Sequence, residues 1–250
     1  MAELIDLYKI IPKRFNPHNE LTYPSFQECQ IKLPCRAMFI GPTSSGKTRS
    51  ALAFIQKINA WTDYHLFVKK PTEPLYKFFS YVIWKIDPNS LHLSNRLEDL
   101  PSVEEFDENK KHCVIIDDMV LESPEAMNKL GKICIYGRKN NISLFLLSQD
   151  YTKFPTTIRE QMSMFCVKKH STLQKLKYFF RNIWSNTPFD EKQCLDVYRQ
   201  ITKNPLNVMT IDVENIDPRL IVRQNFASVF DIPELNKIID NNKNTDKDDE

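Results

Sequence analysis

The chain has 250 residues, 42% of them hydrophobic and 26% charged, with a formal net charge of +2. That length allows one domain or two with a large core, and no stretch reads as a membrane span or an N-terminal signal peptide. The near-neutral total hides an asymmetry: Asp240 to Glu250 carries five acids against two bases, leaving about +5 on the rest, an excess that permits contact with nucleic acid. The six cysteines are scattered, with no C-x-x-C pair and no His cluster, so a reducing compartment is expected and neither a disulfide framework nor a zinc site is.

Residues 1–30 show no sustained period and contain Pro12, Pro17 and Pro24, which reads as an extended arm or a cover over a sheet. Ala37 to Ile40 is then a short apolar strand leading into Gly41-Pro42-Thr43-Ser44-Ser45-Gly46-Lys47-Thr48, and an apolar-periodic helix follows (Ala51, Leu52, Phe54, Ile55, Ile58). This is the phosphate-binding pattern G-x-x-x-x-G-K-[ST] in its proper strand–loop–helix setting. Backbone N–H groups of Gly41 to Thr48 and the helix N-terminus form a cradle for phosphate. Lys47 is expected to reach the β- and γ-phosphates, and Thr48 to ligate Mg²⁺. The chain holds only four glycines, and two fall at the required spacing beside Lys-Thr, which argues against coincidence.

Tyr64 to Val68 reads as a second strand, Leu75 to Lys85 as a helix, Leu91 to Leu93 as a short strand and Val103 to Phe106 as part of a short helix. Cys113-Val114-Ile115-Ile116-Asp117-Asp118 suits a central parallel strand, buried on both faces, whose C-terminal end delivers two carboxylates. This is the Walker B pattern: Asp117 is expected in the Mg²⁺ shell and Asp118 beside the attacking water. Ser123-Pro124 reads as an N-cap with Pro at N1, opening a helix that ends near Gly137 to Asn141. The next buried strand, Ile142 to Leu147, ends at Ser148-Gln149, where the Gln149 amide is a candidate γ-phosphate sensor. A short helix at Pro155 to Glu160 and a strand at Met162 to Val167 follow. Lys168 to Arg181 carries five basic residues and no acid. It reads as a solvated helix face or as a contact surface for a phosphate backbone. A helix at Phe189 to Asn204, late strands at Asn207 to Asp212 and Leu220 to Val222 forming an edge hairpin, and a disordered acidic end complete the chain. The alternation implies an α/β domain over 31–239 with a mainly parallel central sheet, flanked by a 1–30 arm and a 240–250 tail.

A base-reading N-K-x-D segment, which a GTPase needs, is missing: Asn236 to Asp240 is one residue too long. The paired acids, with a polar residue ending the next strand, favour ATP hydrolysis over a small-molecule kinase. Gly41 to Thr48, Ile115 to Asp118 and the run Tyr136-Gly137-Arg138-Lys139-Asn140-Asn141-Ile142-Ser143…Leu147-Ser148-Gln149-Asp150-Tyr151 resemble the poxvirus-type genome-packaging ATPases of the FtsK–HerA superfamily. The segment Pro155 to Gln161 is also similar, and the similarity spans roughly residues 33–170. The resemblance implies a RecA-like P-loop NTPase, ATP and Mg²⁺ as cofactors, and a homo-oligomeric ring, with six the expected number of subunits. It further implies double-stranded DNA and capsid or portal-vertex proteins as partners, and a host-cytoplasmic location. Arg138 matches by position the arginine that such rings insert into a neighbour's site; a helix C-cap is the plainer role, and Arg159 is the reserve. Asp118 stands where many superfamily members have Glu. An ATP-gated assembly adaptor and a nucleotide kinase are the alternatives.

Overall fold

In the computed structural model, residues 23–119, 123–170, 173–183, 187, 189–226 and 228–229 are described. One helical turn, α1 (Phe26–Cys29), precedes β1 (Arg36–Ile40), and α2 (Lys47–Ile58) follows across the phosphate loop. Next come β2 (Asp63–Val68), α3 (Pro74–Ile86), β3 (Leu91–Ser94), β4 (His112–Asp117), α4 (Pro124–Tyr136) and β5 (Ile142–Ser148). The order continues α5 (Thr156–Arg159), β6 (Met164–Val167), α6 (Leu173–Ile183), α7 (Glu191–Ile201), β7 (Met209–Asp212), α8 (Pro218–Ile221), β8 (Val222–Gln224) and β9 (Ser228–Val229). The arm residues 1–22, Trp184 and everything from 230 on, including the acidic tail, lie outside the described residues.

The described strands form one sheet in the order β3-β2-β4-β5-β1-β6-β7-β8-β9. β1 to β6 pair parallel, and β7, β8 and β9 extend the sheet antiparallel. Parallel pairing forces each connection back across a face, so the segments leaving β1, β2, β4 and β5 all start from one edge, the carboxyl edge. That single topological fact gathers the loops after Ile40, Val68, Asp117 and Ser148. β5 lies between the P-loop strand and the Walker B strand, and its register sets Ile40 beside Ser148 and Asp117 beside Leu147.

The strands are apolar on both faces because both faces are covered. Met38, Ile40, Val114, Ile116, Leu144 and Leu146 pack with Leu130 and Ile133 of α4 and with Phe179 and Phe180 of α6. The alternate residues Phe39, Ile115, Phe145 and Leu147 face Phe54, Ile55 and Ile58 of α2, with Trp61 and Phe145 edge to face at 5.4 Å. Tyr23 and Cys29 are buried in this second layer.

Local chemistry sets several boundaries. The Ser123 hydroxyl accepts from the Ala126 N–H at 3.1 Å, which fixes the start of α4 as the Ser-Pro signal indicates. Asp190 and Gln193 form a capping box that opens α7, two residues after the sequence-expected start. Leu220 and Ile221 are not strand: Asp217 caps a helical turn with Pro218 at its first position, and the strand begins only at Val222. The expected absence of a His cluster is also overturned. Lateral pairing of β2, β3 and β4 brings His65, His92 and His112, far apart in sequence, around Asp63 at the opposite, amino edge.

Candidate active site

The phosphate loop folds as a cradle that side chains would fill. A Cβ on Gly41 would sit 2.5 Å from Ser45 Oγ and 2.7 Å from Lys168 Cβ, so only glycine fits. Gly46 has φ +83°, and Ser44 also lies in the left-handed region at φ +61°. Lys47 Nζ donates to the carbonyls of Gly41 (2.8 Å) and Pro42 (3.2 Å), folded back over the loop. Burial pushes the Lys47 ammonium pKa down, and Asp118 and Asp117 oppose that. Ser45 Oγ is buried without a hydrogen-bond partner. A buried orphan hydroxyl over converging backbone N–H groups suits a phosphate oxygen, so the residues present fit a nucleoside triphosphate.

At the end of β4, Thr48 Oγ1 donates to Asp117 Oδ2 at 3.0 Å. Adjacent ligands of an octahedral Mg²⁺ with bonds of about 2.0–2.1 Å stand about 2.9 Å apart, so this hydroxyl and carboxylate fit that ion. The same Oδ2 accepts from Tyr76 OH at 2.6 Å. Burial pushes the Asp117 carboxyl up, partly offset by the hydrogen bonds from Tyr76 and Thr48. Asp118 leaves the strand at φ +52°, held by its N–H on the Leu147 carbonyl (3.1 Å), and this turn swings its carboxylate toward β5. There Gln149 Nε2 donates to Asp118 Oδ2 at 3.2 Å. The structure therefore brings Lys47, Thr48, Asp117, Asp118 and Gln149 together across β1, β4 and β5.

Beside the loop lies a cavity of about 660 Å³ lined by Arg49, Leu75, Lys169, His170, Pro205 and Leu206. Its mix of apolar and cationic walls suits the base and sugar of a nucleotide better than a second phosphate chain.

The deciding comparison is with protein families: the poxvirus A32 protein family matches residues 25–216. The chain belongs to the poxvirus A32 family. It is thus an ATPase of the viral genome-packaging type. Among solved structures, the genome packaging NTPase B204 from Sulfolobus turreted icosahedral virus 2 in complex with AMPPCP aligns over 77% of this chain and 97% of its own, with 12% identity and a TM-score of 0.51. The same NTPase with ATP-gammaS aligns over 79% and 100%, at 11% identity and TM-score 0.48. EssC (ATPases 2 and 3) from Geobacillus thermodenitrificans aligns over 82% of this chain and 42% of its own, at 12% identity and TM-score 0.47. At these identities the likeness to B204 with AMPPCP speaks for the fold. No curated protein sequence matches the chain.

Two arginines of this A32-family chain are not gathered at its own loop. Arg138 follows α4 at the amino edge, paired with Glu214 at 3.3 Å, and the strand that separates it from Ser148 spans roughly 20 Å. Arg159 stacks its guanidinium 4.6 Å over the Tyr151 ring and donates to Thr156 Oγ1.

The basic run is also split. Lys168 is fully buried, its Nζ donating to the carbonyls of Pro205, Leu206 and Asn207 at 2.8–3.0 Å, because β6 ends underneath the phosphate loop. Burial and nearby Arg49 push its pKa down to about 8. Lys169, Lys177 and Arg181 remain exposed. Sequence reasoning missed Tyr76. Its signal was positional: a tyrosine in the first turn of a helix leaving the carboxyl edge is close enough to touch the Walker B carboxylate.

Proposed function

We propose that the chain is a motor that hydrolyses ATP to drive double-stranded DNA into a preformed capsid, acting as a ring of identical subunits. The observation that carries the hydrolytic half is the Asp118–Gln149 contact at 3.2 Å, one strand away from Lys47. It supports Asp118 as the group that accepts the proton of an attacking water, with the Gln149 amide orienting that water against the γ-phosphate. Lys47 and the loop N–H groups hold the phosphates, and Thr48 and Asp117 would hold Mg²⁺, whose charge neutralises the phosphate oxygens during transfer.

Assembly is supported by what one subunit leaves undone. Arg138 sits on the far edge, paired with Glu214 and away from its own phosphate loop, which supports a role at a neighbour's nucleotide. Helix α3 exposes Phe78 (67%), Tyr81, Trp84 and Ile86 (81%) along its outer face, an apolar surface suited to a second copy of the chain. The B204 structures come from a protein described as a genome packaging NTPase, which makes DNA the natural cargo here. Capsid or portal-vertex proteins are the receiving partner, and the reducing host cytoplasm suits six buried free thiols.

The test is ATP turnover by the purified chain with and without double-stranded DNA, across a salt series, alongside imaging of the nucleotide-bound protein. DNA-stimulated hydrolysis that falls steeply with salt, by closed rings, is expected. Nucleotide-dependent assembly without DNA stimulation would replace the motor with an assembly adaptor. Phosphoryl transfer to a nucleotide in place of water would overturn both.

A further inference from the structure

Three of the chain's five histidines converge on one carboxylate at the amino edge of the sheet. Asp63 and His65 lie two residues apart on β2 and so share a face. β4 sets His112 opposite Asp63, and β3 sets His92 opposite His65. Asp63, His65 and His112 are at most 6% exposed, whereas the His92 side chain is half exposed and closes the group from outside.

The Asp63, His65 and His112 ligand atoms all lie within 4.8 Å of one another, close enough to share one cation, whereas His92 stands farther out. His65 Nε2 stands 2.9 Å, His112 Nδ1 3.0 Å and His92 Nε2 3.5 Å from Asp63 Oδ2, and His65 Nε2 stands 3.3 Å from His112 Nδ1. Tetrahedral Zn²⁺ with bonds of about 2.0–2.1 Å places its ligand atoms about 3.3–3.4 Å apart. The rings of His65 and His92 are stacked, centroids 4.4 Å apart and 14° from parallel, which turns both Nε2 atoms the same way.

The surrounding hydrogen bonds orient the ligands. His112 Nε2 lies 2.9 Å from the Asp107 carbonyl and must donate to it. In a neutral ring that leaves Nδ1 as a lone pair, aimed at a carboxylate oxygen 3.0 Å away. His65 Nε2, 2.9 Å from Asp63 Oδ2 and 3.3 Å from His112 Nδ1, stands between these two acceptors, and either its N–H or a bound cation satisfies them. Asp63 Oδ1, pointing away from the histidines, receives Lys110 Nζ at 3.2 Å. A carbonyl behind an imidazole and a cation behind a carboxylate are the supports that hold metal ligands in place. A cavity of about 670 Å³ opens onto the group, its walls carrying Glu98, Asp99, Glu105 and Asp107 alongside Lys110 and Lys129.

We propose that Asp63, His65 and His112 form a Zn²⁺ site that ties β2 to β4, with His92 of the edge strand β3 covering it from outside. The site has three protein ligands, and its fourth position falls to the side of the half-exposed His92. Its borderline-soft nitrogen donors keep it distinct from the oxygen-lined Mg²⁺ position at the other edge. The site anchors the connection that carries the exposed α3 face, linking metal content to the rigidity of that surface.

The test is metal analysis of tag-free, full-length protein, with thermal unfolding in a chelator that spares Mg²⁺ and reconstitution with Co²⁺. The expected result is about one zinc per chain, a lower Tm once zinc is removed, and the intense visible bands of tetrahedral Co²⁺. His65→Gln and His112→Gln should each keep the fold and lose the metal. Protein with no zinc, no Co²⁺ bands and a Tm indifferent to the chelator would overturn the site and leave the His65 N–H as the group that bridges the two acceptors. Zinc retained undiminished in both variants would place the metal elsewhere and overturn it equally.

Discussion

The two edges of the parallel sheet are both crowded with polar side chains, yet they are built for opposite purposes. At the carboxyl edge the groups are under-satisfied: Ser45 Oγ has no partner, and Lys47 is parked on carbonyls of its own loop. At the amino edge the charged groups are paired, although Arg36 Nε and Arg223 Nε are also buried without a partner. Arg36 holds both the Cys134 carbonyl and Glu214, Arg138 shares Glu214, and Arg223, fully buried, holds Asp212 and the carbonyls of Cys29 and Phe226. The difference lies in what holds the charges: the phosphate loop's own carbonyls at one edge, buried or half-buried acids at the other. The contrast separates a reacting edge from a bracing edge.

Substitutions at each edge can break that division. The largest effect is expected where the amino edge reaches out of its own subunit. Arg138→Ala removes a half-exposed ion pair, so Tm should shift by no more than about 1 kcal/mol equivalent. ATP turnover should fall by about 10³–10⁵-fold if the guanidinium serves a neighbour. Mixing Arg138→Ala with Lys47→Ala subunits should then restore some turnover, and unaltered turnover in the single variant would confine Arg138 to the bracing edge.

At the reacting edge, Asp118→Asn should cut hydrolysis by about 10²–10⁴-fold while ATP binding, read by titration calorimetry, persists. Full hydrolysis by that variant would remove Asp118 from the chemistry. Asp212→Ala acts the other way. It strands the buried Arg223 guanidinium and should cost about 3–5 kcal/mol in denaturant unfolding, with turnover per folded molecule unchanged. The smallest effect is expected for Tyr76→Phe, which removes one hydrogen bond to the Asp117 carboxylate, about 1.5–3 kcal/mol before relaxation. It should shift apparent Mg²⁺ affinity in nucleotide binding more than it shifts Tm.

How much of this was legible depended on how far apart in sequence the cooperating residues lie. Gly41 to Thr48 are contiguous, and the conformation they need is written into their own types, two glycines and a Lys-Thr pair. Asp117 and Asp118 close an unbroken apolar run, a pattern that signals a doubly buried strand and marks its end. Strand and helix order followed from the same periodicities, except where a local cap intervened, as Asp217 does before Val222, and where elements are too short to carry a period, as α1 (Phe26–Cys29) and β9 are. Lys168 read as one more surface base, because nothing in its neighbours along the chain shows that β6 runs beneath the phosphate loop.

The sequence by itself marked a P-loop pattern and an apolar strand ending in paired acids, since those motifs are local and carry their geometry with them. Tertiary structure alone decided that Gln149 touches Asp118, that Tyr76 joins Asp117, that Arg138 faces away from its own site, and that three histidines meet at Asp63. The physical reason is lateral pairing. Neighbouring strands lie about 4.8 Å apart whatever their separation in the chain, so residues 63, 65, 92 and 112 become one cluster without leaving any repeating mark in the sequence.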